Sequence, residues 1–417
     1  MALGEPRIED LDDPKFDPFA ADGAAWGDIL DPYPILARYR REKSVHPIEY
    51  RKIFTDLPDP TLSNYETYSV FSYDDVLEVL THPEIYTNTI LLKNLGVAFG
   101  NTIVVMDPPE HTRYRRIFQK AFLPNIVRKW GDEIIDPAIA QLFEKFETSG
   151  KADLVQDFTL HYPFHIIYKQ LGLPPEDGRT FHKLAITQLF WITDPERTEE
   201  AGRKLRSFFG TLLDKRRKEP GDDLISLLAT AEIDGEHLPN DNVVSFLRQL
   251  INAAGDTTYR TTGTLLMCLL NNPDQLEAVR NDRSLIPAAI EEALRWDGPV
   301  IMNWRAAKKD VTLGGVDIPS GSVINIVQGS ANRDETKFED PDRFDIFRAQ
   351  ANRHFGFATG PHVCIGQHLA RLEMERALTA ILDRLPNLRL DPHLPPPASR
   401  GFHLRTPDHL HVAFDAQ

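Results

Sequence analysis

Apolar residues recur every third or fourth position over most of this chain, a period that predicts helices. Such patterns run over 74–82, 113–122, 131–148, 175–187, 195–218 and 222–231. The longest opens near Pro239-Asn240 and continues through Val243, Val244, Leu247, Leu250, Ile251, Ala254, Leu265, Leu266 and Leu269. The breaker Asn271-Asn272-Pro273 ends it. At about 30 residues and 1.5 Å per residue it reaches roughly 45 Å, enough to cross a whole domain. A second long pattern follows Gly366 through Leu369, Leu372, Leu378, Ile381, Leu382 and Leu385, until Pro386 stops it. Strand signals are short: 68–71, 311–313, 323–327 and 410–414. Gly314-Gly315 and Pro319-Ser320-Gly321 mark turns between some of them. The predicted class is mostly α with small β-sheets.

Composition narrows the picture. The 31 prolines among 417 residues are scattered, and neither a linker nor a repeat divides the chain. One domain over 1–417 is expected, with 1–30 as an extended N-terminal segment. The formal charge of −15 argues against nucleic acid and anionic membrane surfaces as partners. Glu9, Asp10, Asp12, Asp13 and Asp17 give the N-terminus an acidic profile unlike a signal peptide. No window reaches the roughly 18 apolar residues of a membrane span. Membrane insertion is therefore not expected, and the predicted location is the cytoplasm.

Only Cys268 and Cys364 are cysteines, too few for a disulfide framework. Cys364 lies in Phe357-Ala358-Thr359-Gly360-Pro361-His362-Val363-Cys364-Ile365-Gly366, just before the second long helical pattern. A helix N-terminus offers free N–H groups and a positive dipole, which lower a thiol's pKa toward a stable thiolate. Such a thiolate can be a nucleophile, a redox thiol or an axial iron ligand. Gly360 and Gly366 favour the last, because they let a flat, bulky ligand approach the backbone.

Inside the longest helix lies Ala253-Ala254-Gly255-Asp256-Thr257-Thr258, poor helix material. Its small residues leave space for a cofactor and a diatomic ligand. The Thr257 hydroxyl can compete for the Ala253 carbonyl and locally open the helix. A loosely packed helix crossing would carry the same small residues.

The decapeptide resembles the heme-binding loop of the cytochrome P450 family, F-x-x-G-x-(R/H)-x-C-x-G, at every fixed position. The 253–258 stretch is similar to that family's oxygen-activating signature, although its glycine falls one place later than in many members. Glu292, Arg295 and Arg343 match its E-x-x-R and P-x-R-F elements, which form a buried network behind the thiolate loop. The resemblance spans about 31–414 and implies the family's fold, with a long central helix crossing over the heme and the cysteine loop on the other side. It implies heme b (iron protoporphyrin IX) with Cys364 as metal ligand. Asp256 and Thr257 would relay protons during oxygen activation. His111, Arg115, Arg305 and His354 would contact the propionates, with Phe357 and Gly366 beside the ring.

The substrate wall by family position includes Asn252, Ala253, Val300 and Ile301. Apolar residues of 89–99 extend it, Phe190 and Trp191 form a lid, and Phe402 dips in. The implied reaction is monooxygenation by O2 of a small to medium hydrophobic compound such as a terpenoid or aromatic. Hydroxylation, demethylation and epoxidation are its variants. Phosphate-binding glycine loops are absent, so electrons must come from a separate 2Fe-2S ferredoxin and its NAD(P)H-dependent reductase. An acidic ferredoxin would bind a basic face of Arg113, Arg116, Lys120 and Arg371. A soluble bacterial monomer is the expected form. A peroxide-driven peroxygenase and a non-catalytic heme-thiolate sensor are the alternatives. His409 and His411, alternating on a predicted strand, read as ordinary.

Overall fold

A computed structural model describes residues 6–56, 59–233 and 235–416. Helices dominate it, and the central one runs unbroken over Asn240–Asn271, 32 residues or about 48 Å. It packs against the helices Tyr162–Gln170, Pro195–Lys218, Ile286–Asp297 and Gln367–Arg384, and most of its side chains are buried. Local chemistry explains where helices begin. Asp194 accepts the Arg197 N–H, Pro195 stands in the first turn, and Lys215 to Lys218 fill the last one of Pro195–Lys218.

The 131–148 pattern divides into a π-helical turn, Gly131–Ile135, and an α-helix, Asp136–Phe143. Pro137 has no N–H to give the carbonyl four residues back, so the hydrogen-bond ladder shifts register there. The 1–30 segment is not simply extended: Pro18–Trp26 is a helix whose Asp17 cap accepts the Phe19 N–H, while residues 1–5 lie outside the described residues.

The sheets are small. The largest orders its strands Val45–His46, Thr67–Val70, Val323–Ile326, Asn303–Ala307 and Tyr86–Thr87. Val323–Ile326 runs parallel to Thr67–Val70, in register at Val323 and Thr67, and antiparallel to Asn303–Ala307. A three-stranded sheet joins Arg389–Leu390, His411–Ala413 and Lys151–Asp153.

The buried ion network differs from expectation in one member. Arg295 grips Glu292 with two bonds, 2.7 and 2.8 Å, both side chains fully buried. The third side chain is Arg348, whose Nε lies 3.2 Å from both Glu292 oxygens. Arg343 contributes only its backbone carbonyl to Arg295, and its exposed guanidinium pairs with Asp340 and Asp345. Glu292→Ala leaves two guanidiniums without their carboxylate and should cost about 3–5 kcal/mol. Denaturant unfolding measures this, and a loss below about 1 kcal/mol would contradict it.

Burial also sets an acid limit on stability. It pushes His165 down to about 4 and His403 to about 3. Between the unperturbed value near 6.5 and those values the unfolded chain binds protons that the folded one refuses. Stability should therefore fall as pH drops from about 6.5 toward 4, a slope that Tm against pH reads directly.

Candidate heme site

Between the central helix and the 357–366 loop lies a cavity of about 310 Å³. Ala253, Ala254 and Thr257 form its helix side, with Thr258 and Thr261. Phe357, His362, Cys364, Ile365 and Gly366 form the loop side. The loop is held by the Cys364 N–H on the Phe357 carbonyl at 2.9 Å and by a left-handed Gly360, φ +72°. A side chain at Gly360 would meet the Leu80 carbonyl at 2.5 Å, so this glycine serves the turn. At Gly366 a side chain would point into open space beside the cavity, which suits close approach of a flat ligand.

Cys364 is not the low-pKa thiol that its position before Gln367–Arg384 predicts. Burial pushes the thiol above its ordinary value, outweighing the N–H groups of Gly366 and Gln367 and the charges of Arg115 and Arg371. A coordinated metal reverses that balance, because a coordinating thiol is deprotonated outright. Cys268 is 3 % exposed in the core, its thiol pushed well up by burial, and does not border the cavity.

Beside the loop, four cationic or imidazole groups gather with too little negative charge. His111 and His362 stack with centroids 4.0 Å apart. Both His111 ring nitrogens, and His362 Nε2, are buried without a partner. Burial, with Arg115 and Arg305 close by, pushes His111 down to about 4; burial, His111 and the same arginines push His362 to about 2. Arg305 is 5 % exposed and held down to about 10 by burial. Its one hydrogen bond among the described residues goes to the Trp304 carbonyl, 2.7 Å away. Asp107 is the nearby acid, and it already binds Lys308 at 2.9 Å, the Asn88 N–H and Thr87. Orphaned donors and buried positive charge next to a thiol-lined cavity fit a group bearing two carboxylates, as heme does.

His354 stands outside this cluster. Its Nδ1 accepts the Gly356 N–H and its Nε2 meets Glu291 at 3.2 Å, so both nitrogens are taken. His362, two residues before the cysteine, stands in the cluster instead, stacked on His111. Arg371 is likewise engaged, by Glu291 at 2.6 Å and the Phe357 ring at 4.4 Å.

On the helix, Thr257 Oγ1 donates to the Ala253 carbonyl at 3.1 Å as predicted, yet the α-helix stays continuous. Asp256 is 4 % exposed, and both its oxygens receive Arg260 Nε, at 3.1 and 3.0 Å. Gly255 makes no room for a cofactor: it faces Phe164, whose ring would sit 2.5 Å from any side chain there.

Of the expected substrate wall, Ala253 and Val300 border the cavity. Asn252 turns away, its Nδ2 bonding the Ala185 carbonyl, because neighbours on a helix point about 100° apart. Ile301 packs on Gly329 instead. Ile90, Leu91 and Phe99 are core, whereas Leu92 and Val97 are exposed. Phe190 and Trp191 are buried against Phe16 and Trp26, and Phe402 stacks on Phe54. Val104, Phe122, Leu250 and Asn303 also line the cavity.

Glu373 also borders the cavity, 2 % exposed, with Oε2 unpartnered. Burial pushes its carboxyl well above the usual carboxylate range. Its spacing from Gly366, Leu369 and Ala370 marks the same helix face, a signal available in the sequence.

A half-buried cysteine facing a threonine-bearing helix across a cavity flanked by two arginines and two unpartnered imidazoles defines a heme-thiolate protein. The Cytochrome P450 family model matches residues 181–409, and the chain belongs to that family. It is 33% identical over 366 residues to "Putative cytochrome P450 YjiB" of Bacillus subtilis, covering 85% of this chain and 91% of that one. Among solved structures, the cytochrome P450 PksS of the Bacillus subtilis bacillaene polyketide synthase superposes with TM-score 0.83 at 31% identity, covering 96% of this chain and all of that one. CYP109E1 from Bacillus megaterium, in complex with testosterone, gives TM-score 0.80 at 28% identity, covering 92% and 99%. Members of the family are monooxygenases that bind heme through a cysteine thiolate and use O2, redox partners and small substrates. Among the described residues no helix is long and apolar enough to cross a membrane.

Proposed function

We propose that this chain inserts one oxygen atom from O2 into a small to medium hydrophobic compound, such as a terpenoid or aromatic. Its electrons come from a separate 2Fe-2S ferredoxin and an NAD(P)H-dependent reductase. The observation that carries this reading is Cys364 facing Ala254 and Thr257 across one cavity. Heme bound there supplies the oxygen chemistry. Cys364 would give the iron its sulfur ligand, and His111, Arg115, Arg305 and His362 would hold the carboxylates. Thr257 spends its proton on the Ala253 carbonyl, so its oxygen keeps lone pairs to hold a water at the cavity edge. Asp256, next to Thr257 in the chain and held by Arg260 at 3.0 Å, is the acid that would pass protons to that water.

Val104, Phe122, Leu250 and Val300 exclude bulk water and favour an apolar substrate. Asn303 donates to Gln328 Oε1 at 2.5 Å, and Gln328 in turn donates to the Phe355 carbonyl at 2.8 Å, so these two amides spend hydrogen bonds on the protein. The testosterone complex of CYP109E1 supports an apolar molecule of that general kind. Arg113, Arg116 and Lys120 are exposed on the helix and turn whose Arg115 bonds the Val363 carbonyl, a basic face suited to an acidic ferredoxin. A single-domain cytoplasmic monomer is the form we propose, in keeping with the acidic composition and bacterial relatives.

Heme-loaded protein should shift its Soret band on binding apolar ligands and form product with NADH, ferredoxin and reductase. Equal product from peroxide alone would favour a peroxygenase. Ligand binding without product under either condition would favour a sensor.

A further inference from the structure

Away from the heme site, the strand His411–Ala413 carries an unassigned donor set. His411 stands directly opposite Asp153 on the antiparallel strand Lys151–Asp153. His409 precedes His411 by two residues, and the two imidazoles stack with centroids 5.3 Å apart and planes 11° from parallel. Both turn Nδ1 toward one oxygen, Asp153 Oδ2, at 2.6 Å from His409 and 3.7 Å from His411. All three ligand atoms lie within 4.8 Å of one another.

The carboxylate is held in place. Its other oxygen, Oδ1, accepts the N–H groups of Leu410 at 2.9 Å and Val155 at 3.1 Å. The Asp153 side chain is 14% exposed, and those of His409 and His411 are 59% and 29% exposed. The cluster is thus anchored below and open to water above. A simple ion pair accounts for His409 but not for a second ring aiming the same nitrogen at the same oxygen.

We propose that Asp153, His409 and His411 form a three-ligand site for a borderline divalent transition-metal ion such as Zn²⁺, water completing its shell. Bonds of about 2.0–2.2 Å around a tetrahedral ion place ligand atoms roughly 3.3 Å apart. The observed 2.6 and 3.7 Å bracket that spacing, and the third pair lies within 4.8 Å. Binding therefore requires the two stacked rings to turn toward a common point. Two imidazoles select against the hard ions Ca²⁺ and Mg²⁺. The bound ion cross-links the strand at 151–153 to the C-terminal strand. This site is independent of the catalytic reading.

The test is calorimetric titration of Zn²⁺ into tag-free, heme-loaded protein, with melting temperature followed alongside. One ion should bind in the micromolar range and raise Tm by a saturable few degrees. H409A and H411A should each weaken binding about tenfold or more, whereas H393A, at an exposed position outside the cluster, should bind as the native chain does. An unchanged heme spectrum in each variant shows that it is folded. Native-like binding by the H409A/H411A double variant would overturn the site. So would the absence of heat and of any Tm change up to millimolar Zn²⁺.

Discussion

Replacing Cys364 with serine reduces product formation to background while leaving the fold in place. Serine is close in size, and the N–H groups of Gly366 and Gln367 that face the sulfur remain. What it lacks is an atom that iron can hold as a thiolate. The alcohol's proton is far harder to remove in a site where burial already opposes charge on the sulfur. The thiolate also pushes electron density that favours O–O cleavage, which an alcohol does not supply. Reductase-coupled product formation, with circular dichroism as the folding check, measures this. Substantial turnover by the folded variant would remove Cys364 from the chemistry.

The second large effect belongs to the central helix. Thr257→Ala should lower product formation about 100-fold, the scale of a lost general acid–base group. NADH consumption should fall much less, because reducing equivalents drain to peroxide when protons are poorly placed. Asp256→Asn should slow product formation similarly, and it also removes the charged partner that Arg260 holds at 3.0 Å. Asp256→Asn should therefore lower Tm, whereas Thr257→Ala, at the cavity edge, should leave it nearly unchanged. Product formed per NADH, read beside Tm, separates proton delivery from structural damage. Equal coupling in Thr257→Ala and the native chain would contradict the relay.

The central helix and the cysteine loop were legible in the sequence because period and spacing encode them directly. The apolar repeat from Val243 to Leu269 fixes one helix, and Phe357 to Gly366 fixes one loop. Which way a side chain turns was much less legible. Asn252 and Ala253 are neighbours in the chain, yet one bonds Ala185 and the other borders the cavity. Val300 and Ile301 split in the same way on an extended segment, where successive side chains alternate. His354 was lost to Glu291, a partner 63 residues away that no local pattern reveals. Arg343 and Arg348 are both arginines near one acid, and only the folded 341–348 segment decides which guanidinium reaches Glu292. The short helix Pro18–Trp26 lay within 1–30, read as extended, although the Asp17-Pro18 cap was in plain sight.

The most direct test of the Cys364–iron bond is the visible spectrum of the native, heme-loaded protein, reduced and exposed to carbon monoxide. Thiolate ligation predicts the strongly red-shifted Soret band that gives this family its name. A band at the position of a histidine-ligated carbonyl heme, in protein that is otherwise native, would contradict the account.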